Sequence, residues 1–274
     1  LHLDRLITIL ELIAMAGRGL SAVEVQKATG LPRPTCYRLL QTLAENRLID
    51  DPGGSSRYVI GERLIGIALL GQSDIDVRRV CAPVLREAAL NLEDSVFLAR
   101  LRSTDVEIIH VETPSNSTHG FIHPGFGVRP MHACSCSKAI AAFAKQSFQE
   151  NILSGMLNPY TPHTKTTRAA LEAEFAAIVQ QGYAECHEEI DIGVSSVAAP
   201  VFVGATGTTF SVGAVGPVRR FTKQYRKRLG EDLIAISAKL GAAIQLCAVS
   251  QDRIADMPRP TEPQQKAKQL PNHH

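Results

Sequence analysis

The stretch from Ser21 to Ile60 leaves this chain few folds to choose from. It runs through a short amphipathic segment, a Gly30-Leu31-Pro32 turn, a second helix that opens on polar and basic residues, and a hairpin around Pro52-Gly53-Gly54. That order is a helix-turn-helix followed by a wing, and its usual partner is duplex DNA.

The local signals agree with one another. Leu3, Leu6, Ile7, Leu10, Ile13 and Ala14 recur at helical spacing, and Gly17 and Gly19 end that first helix. Ser21 with Glu24 three residues later spells a capping box for a helix from Ala22 to Thr29, which stops at Gly30. A third helix begins after Pro32, with Cys36, Leu39, Leu40 and Leu43 on its inner face; Cys36 is read as a core residue. At 100° per residue, Thr35, Arg38, Gln41, Thr42 and Glu45 point away from that face. Arg33, Pro34 and Thr35 occupy the first turn, the part of a recognition helix that reaches base edges. An arginine fork fits the acceptors of guanine, and a threonine fits a thymine methyl or a phosphate. Tyr37 on the flank suits a phosphate, and so do the amides behind Ser21. Arg57, on the wing, is placed for the minor groove or a phosphate. The expected DNA-contacting set is Ser21, Arg33, Pro34, Thr35, Tyr37, Arg38, Thr42 and Arg57. The plainer reading is a protein-binding winged helix with solvated arginines.

Composition bounds the rest. The 274 residues suit two domains, and 45% apolar content supports real cores. A net charge of +2 means that any DNA-binding surface is local: Arg33, Arg38 and Arg47 stand against Glu45 alone. The six cysteines are scattered and no signal-peptide pattern opens the chain, so free thiols in a reducing cytoplasm are expected. No apolar run approaches the roughly 20 residues of a membrane span. The expected division is a DNA-binding domain over 1–60, a linker helix over 61–75, a second domain over 76–250 and a disordered Pro-rich tail over 251–274. Within the second domain, 95–101 and 106–112 read as a strand pair and 114–132 as a long loop. Helices are expected at 138–145, 147–157, 168–181 and 222–246, and β-structure at 194–203 and 208–215.

Two separated stretches resemble the IclR family of bacterial transcription regulators. In the first, Gly30-Leu31-Pro32 and Thr35-Cys36-Tyr37-Arg38-Leu39-Leu40 lead on to Tyr58-Val59-Ile60-Gly61. In the second, Arg129-Pro130-Met131-His132-Ala133 precedes Lys138-Ala139-Ile140, followed by Glu188-Glu189, Gly193, Val197-Ala198-Ala199-Pro200-Val201 and Gly216-Pro217. The resemblance implies an α+β protein: an N-terminal winged helix-turn-helix, a linker helix and a C-terminal GAF-like α/β effector-binding domain with a curved antiparallel sheet. It also implies a homodimer or homotetramer on an operator that is an inverted repeat. The C-terminal domain would bind a small organic or aromatic acid, and repression is the favoured sign of regulation. Effector contacts are expected from Met131, Ala133, Cys134, Ser135, Cys136, Ser137, Val194 and Ser196, with Ser195, Phe121 and Ile192 nearby. Here the family's small residues before the lysine are replaced by Cys134-Ser135-Cys136-Ser137, and its serines before Gly-Pro by Gly213, Ala214 and Val215. Ser135 or Ser137 is alternatively a simple helix N-cap.

Two rival readings use the same loop. A metal-responsive regulator would take ligands from His119, His123, His132, Cys134 and Cys136, but there is no Cys-x-x-Cys pair, and in an extended segment Cys134 and Cys136 point apart. An enzyme would need a nucleophilic Cys134 or Cys136 with His132 or His187 as base, and no orienting third group is evident. The expectation is therefore no enzyme, no cofactor and no metal. The basic run from Arg219 to Arg228 is read as a solvated helix face.

Overall fold

The computed structural model describes residues 2–52, 54, 56–71, 73–115, 122–203 and 208–255, with the backbone alone at 69, 70 and 247–255. Three helices open it: α1 (His2–Met15), α2 (Ala22–Thr29) and α3 (Arg33–Glu45). Their apolar faces meet in one core, where Ile9, Val25, Cys36, Leu39, Leu40, Leu43 and Ile49 are buried. Each fully buried leucine there contributes about 1.5–3 kcal/mol relative to an exposed one. Strands β1 (Leu20–Ser21), β2 (Ile49–Asp50) and β3 (Arg57–Ile60) form an antiparallel wing in the order β1-β3-β2. The hairpin of β2 and β3 was expected. The third strand was not, since two residues carry no periodicity. Pro52 and Gly54 are in the turn; Gly53 lies outside the described residues.

After Gly61, α4 (Glu62–Gly71) links to α5 (Asp74–Leu92), which Ser73 caps through a bond from the Asp76 amide. A six-stranded antiparallel sheet follows, in the order β6-β5-β4-β9-β8-β7. Its strands are β4 (Ser95–Leu101), β5 (Val106–Glu112), β6 (Gly127–Arg129), β7 (Ala184–His187), β8 (Val194–Phe202) and β9 (Thr208–Pro217). Helices cover both faces. Val96 and Leu98 turn towards α5 and α9 (Lys223–Ala255), whereas Phe97 and Ala99 turn towards α6 (Ser135–Ala142) and α8 (Arg168–Gln181). Burial on both faces explains why β4, β8 and β9 read as nearly continuous apolar runs. A further helix, α7 (Gln146–Leu153), lies beside α6.

The structure adds two short strands to the expected pattern, β6 inside the segment read as a long loop and β7 before β8. It starts α6 at Ser135 instead of Lys138 and carries α9 on to Ala255. The remainder of the expected tail, residues 256–274, lies outside the described residues. No described helix is long and apolar enough to cross a membrane.

Candidate nucleic-acid interface and effector site

The capping box is present as its spacing demands. Ser21 Oγ accepts from the Glu24 amide at 3.3 Å, and Glu24 Oε2 accepts from the Ser21 amide at 2.8 Å. That amide bond, with Arg18 bonded to the other carboxylate oxygen, pulls the Glu24 pKa down to about 2. Gly30 closes α2 in the left-handed conformation, φ 65°, where a side chain would be strained. The chain thus turns abruptly into α3. No side chain caps α3, whose N-cap is Pro32 and whose first turn contains Pro34. Around this helix start Arg33, Pro34, Tyr37 and Arg38 are exposed and Thr35 is half-buried. The Arg33 guanidinium lies over the Tyr37 ring, 5.5 Å from its centroid, so the two present one cationic, aromatic surface.

Two expected DNA contacts have local engagements. Thr42 Oγ1 donates to the Arg38 carbonyl at 3.0 Å, which turns its hydroxyl towards its own helix. Arg57 donates to the Gly19 carbonyl at 2.7 Å and lies 3.6 Å from Glu24, so its charge ties the wing to the cap of α2. Sequence reading missed this because β1 was not foreseen: the pairing of Ser21 with Arg57 brings that cation back over Gly19.

In the second half, the segment before α6 is packed rather than open. Ala133, Cys134, Ser135, Cys136 and Ser137 are all buried, and Cys134, not a serine, is the N-cap of α6. Ser135 Oγ lies 2.8 Å from Ser196 Oγ, joining α6 to β8. Ser211 on β9 donates to the Cys136 carbonyl at 3.1 Å. Val194 is half-buried at the edge of this core, while Ile192 is 62% exposed on its turn. Ser195 is buried against His187 Nδ1, 3.2 Å away. Phe121 and His119 lie outside the described residues. Of the expected effector contacts, Met131 borders an open cleft of about 770 Å³. The cleft runs between the turn at 103–105, Arg129–His132 and the end of α7, and it includes Tyr160. Its inner wall is polar in places: His132 stacks on Tyr160 and meets the Asn158 carbonyl at 3.0 Å, and Arg129 Nε is buried without a hydrogen bond.

The Cys134 and Cys136 sulfurs do not point apart. They lie 3.3 Å from each other, because an N-cap residue is extended and folds its side chain back over the second residue of the helix. No group of three or more His, Cys, Asp or Glu among the described residues is arranged to hold a metal.

A buried charge cluster went unforeseen. Lys138 is wholly buried, and its Nζ donates to Glu174 on α8 and to Glu189, each at 2.7 Å. Lys165 lies 3.2 Å from Glu174 and 3.4 Å from Glu189. Burial disfavours the ammonium of Lys138, but the two carboxylates outweigh it and raise its pKa above 10.5. A lysine directly before the apolar Ala139-Ile140 run was the one sequence signal of it.

Comparison with known proteins bears on both halves. The model of the IclR helix-turn-helix domain matches residues 2–51, and that of the bacterial transcriptional regulator IclR C-terminal domain matches residues 71–242. The chain is 28% identical over 221 residues to a glycerol operon regulatory protein of Streptomyces griseus, covering 80% of this chain and 85% of that protein. It is 26% identical over 247 residues to the transcriptional repressor IclR of Escherichia coli, covering 88% and 89%. Among solved structures, an IclR homologue from Microbacterium hydrocarbonoxydans complexed with 4-hydroxybenzoate shares the fold. Its TM-score is 0.54 at 20% identity, over 91% of this chain and 100% of that one.

Proposed function

The chain belongs to the IclR family of DNA-binding transcription regulators, and on that premise we propose that it is a repressor whose operator occupancy is set by a small organic or aromatic acid. Members of this family are regulators, not enzymes. Arg33, Thr35 and Arg38 read the operator, and Pro34, Tyr37 and the α2 amides behind Ser21 fix the register on phosphates. Arg57 and Thr42 hold the wing and the helix instead of reading bases.

The observation that carries the effector reading is the buried Ser135–Ser196 hydroxyl pair at the start of α6. Two hydroxyls facing each other inside an apolar core, at a helix N-terminus, match what a carboxylate needs. The 4-hydroxybenzoate complex of a relative supports the chemical class. Because the loop at 133–137 is closed, the acid must bind an opened arrangement better than this one, and it shifts operator affinity only by that difference. The apolar residues left exposed on α1, Leu3 and Ile7, and on α4, Ile67, support dimerisation through these helices on an inverted repeat.

The test is fluorescence anisotropy with duplex DNA from the region upstream of the chain's own gene, run with and without a panel of acids. Binding is expected to weaken steeply with salt as counterions are released. Arg38→Ala is expected to cost about 1–3 kcal/mol. An acid that changes operator affinity should also raise the melting temperature, and Ser196→Ala should remove both effects. Unaltered affinity with every acid, with duplex binding intact, overturns the effector; absent duplex binding at low salt overturns the reading as a whole.

A further inference from the structure

We propose that Cys134 and Cys136 are a redox-active dithiol that closes to an intramolecular disulfide on reaction with a hydroperoxide. Their sulfurs stand 3.3 Å apart. Helix geometry places Cα atoms two residues apart at about 5.4 Å, inside the roughly 4.4–6.8 Å that disulfides span. What normally forbids a bridge at this spacing is direction, since in a helix the two side chains diverge. Here Cys134 is the N-cap, with φ −78° and ψ 137°, and its side chain folds over Cys136. Closing the bond needs only the last ångström or so of approach.

The chemistry of the pair is unequal. Burial opposes ionisation of Cys136, but hydrogen bonds from Cys134 and Ser137 and the charge of Arg129 outweigh it and hold its pKa below the usual thiol value. The start of α6 acts in the same direction. The bond to Cys136 and burial push Cys134 well up, which keeps it a thiol. Cys186, a nearby third cysteine, is pushed up to about 12 by burial. One sulfur of the pair is thus the nucleophile and the other the resolving thiol, while Cys186 is inert. Cys136 is fully buried and Cys134 is 7% exposed, so peroxide has to reach Cys136 past Cys134.

The Cys136 thiolate attacks a peroxide oxygen; the O–O bond breaks, hydroxide leaves and Cys136 becomes a sulfenic acid. The Cys134 sulfur then attacks the Cys136 sulfur. The S–S bond forms, the S–O bond breaks, and the departing hydroxyl takes the Cys134 proton as water. The two thiols lose two electrons and the peroxide gains them. Because Ser135 lies between the two cysteines and Ser211 holds the Cys136 carbonyl, the closed bridge would alter the effector segment. That consequence rests on the effector reading; the disulfide itself does not.

The full chain is reduced, exposed to hydrogen peroxide, alkylated and digested with trypsin. Trypsin does not cut between Arg129 and Pro130, so both cysteines fall in the peptide from 103 to 138, which holds no others. The expected result is a peptide lighter by two hydrogens, resistant to alkylation and restored by dithiothreitol. In Cys134→Ser the same treatment should stop at a sulfenic acid on Cys136 that dimedone traps. Two alkylated cysteines in that peptide after peroxide overturn the proposal. So does a sulfinic acid on Cys136 beside a free Cys134, or a cross-link to another peptide. The wild-type peptide decides even if the variant fails to fold, and no ligand or DNA is involved, so this result is independent of the effector test.

Discussion

Single residues show what short sequence spacing can and cannot announce. The Ser21–Glu24 box was legible because both partners lie within one helical turn. The carboxylates of Lys138 lie 36 and 51 residues away, on elements that only folding brings to α6. That cluster is costly to break. Lys138→Met leaves two largely buried carboxylates with Lys165 alone, and is expected to lower stability by about 3 kcal/mol, read as a shift in the urea midpoint. His187 gives a pH prediction. Burial, then the Arg226 guanidinium 3.1 Å from its Nδ1, holds its pKa below 6.5 in the folded chain. A histidine depressed by folding binds its proton more readily when unfolded, so its contribution is intact above about pH 6.5 and is lost as pH falls below it. The melting temperature is expected to decline from pH 7 to pH 5.5, and less so in His187→Gln.

Elements followed from sequence in proportion to their length and periodicity. Strands β4 and β5 and helix α8 stand at their expected residues, whereas β1, β6 and β7 are too short to carry a pattern. The start of α6 was misjudged because its first turn is Ser and Cys, which read as loop, yet they are buried by β8 and β9. The junction between wing and linker depends on one glycine. A Cβ at Gly61 would stand 2.4 Å from the Arg47 carbonyl oxygen and 2.8 Å from the Ile49 amide nitrogen, backbone that has nowhere to retreat. Gly61→Ala is therefore expected to displace β2 from the start of α4 and to destabilise the winged helix by about 1–3 kcal/mol. Amide hydrogen exchange should rise at 47–61 while the central strands of the large sheet stay protected.

At the scale of the molecule, the apolar faces of α1 and α4 are half used. Ile9 and Ile13 enter the core, but Leu3 is 67% and Ile7 44% exposed, as is Ile67 on α4. These exposed side chains are the apolar surface on which the proposed dimer contact rests. If the proposed dimer forms through these helices, changing both Leu3 and Ile7 to Lys is expected to give a monomer in sedimentation velocity and to weaken operator binding, while the melting of the isolated subunit changes little. Unchanged sedimentation overturns the proposed dimer contact through these helices. The amino-acid sequence by itself determined the winged helix, the cap of α2 and the alternation of helices with strands in the second half, because those rest on contacts within a turn or on short-range patterns of apolar residues. Tertiary structure alone decided that Arg57 turns back to Gly19, that Lys138 meets two distant carboxylates, and that the 133–137 segment is closed, with Ser135 against Ser196. Each of these is a meeting of residues far apart in the chain, and no local preference specifies where a folded backbone will bring such groups together.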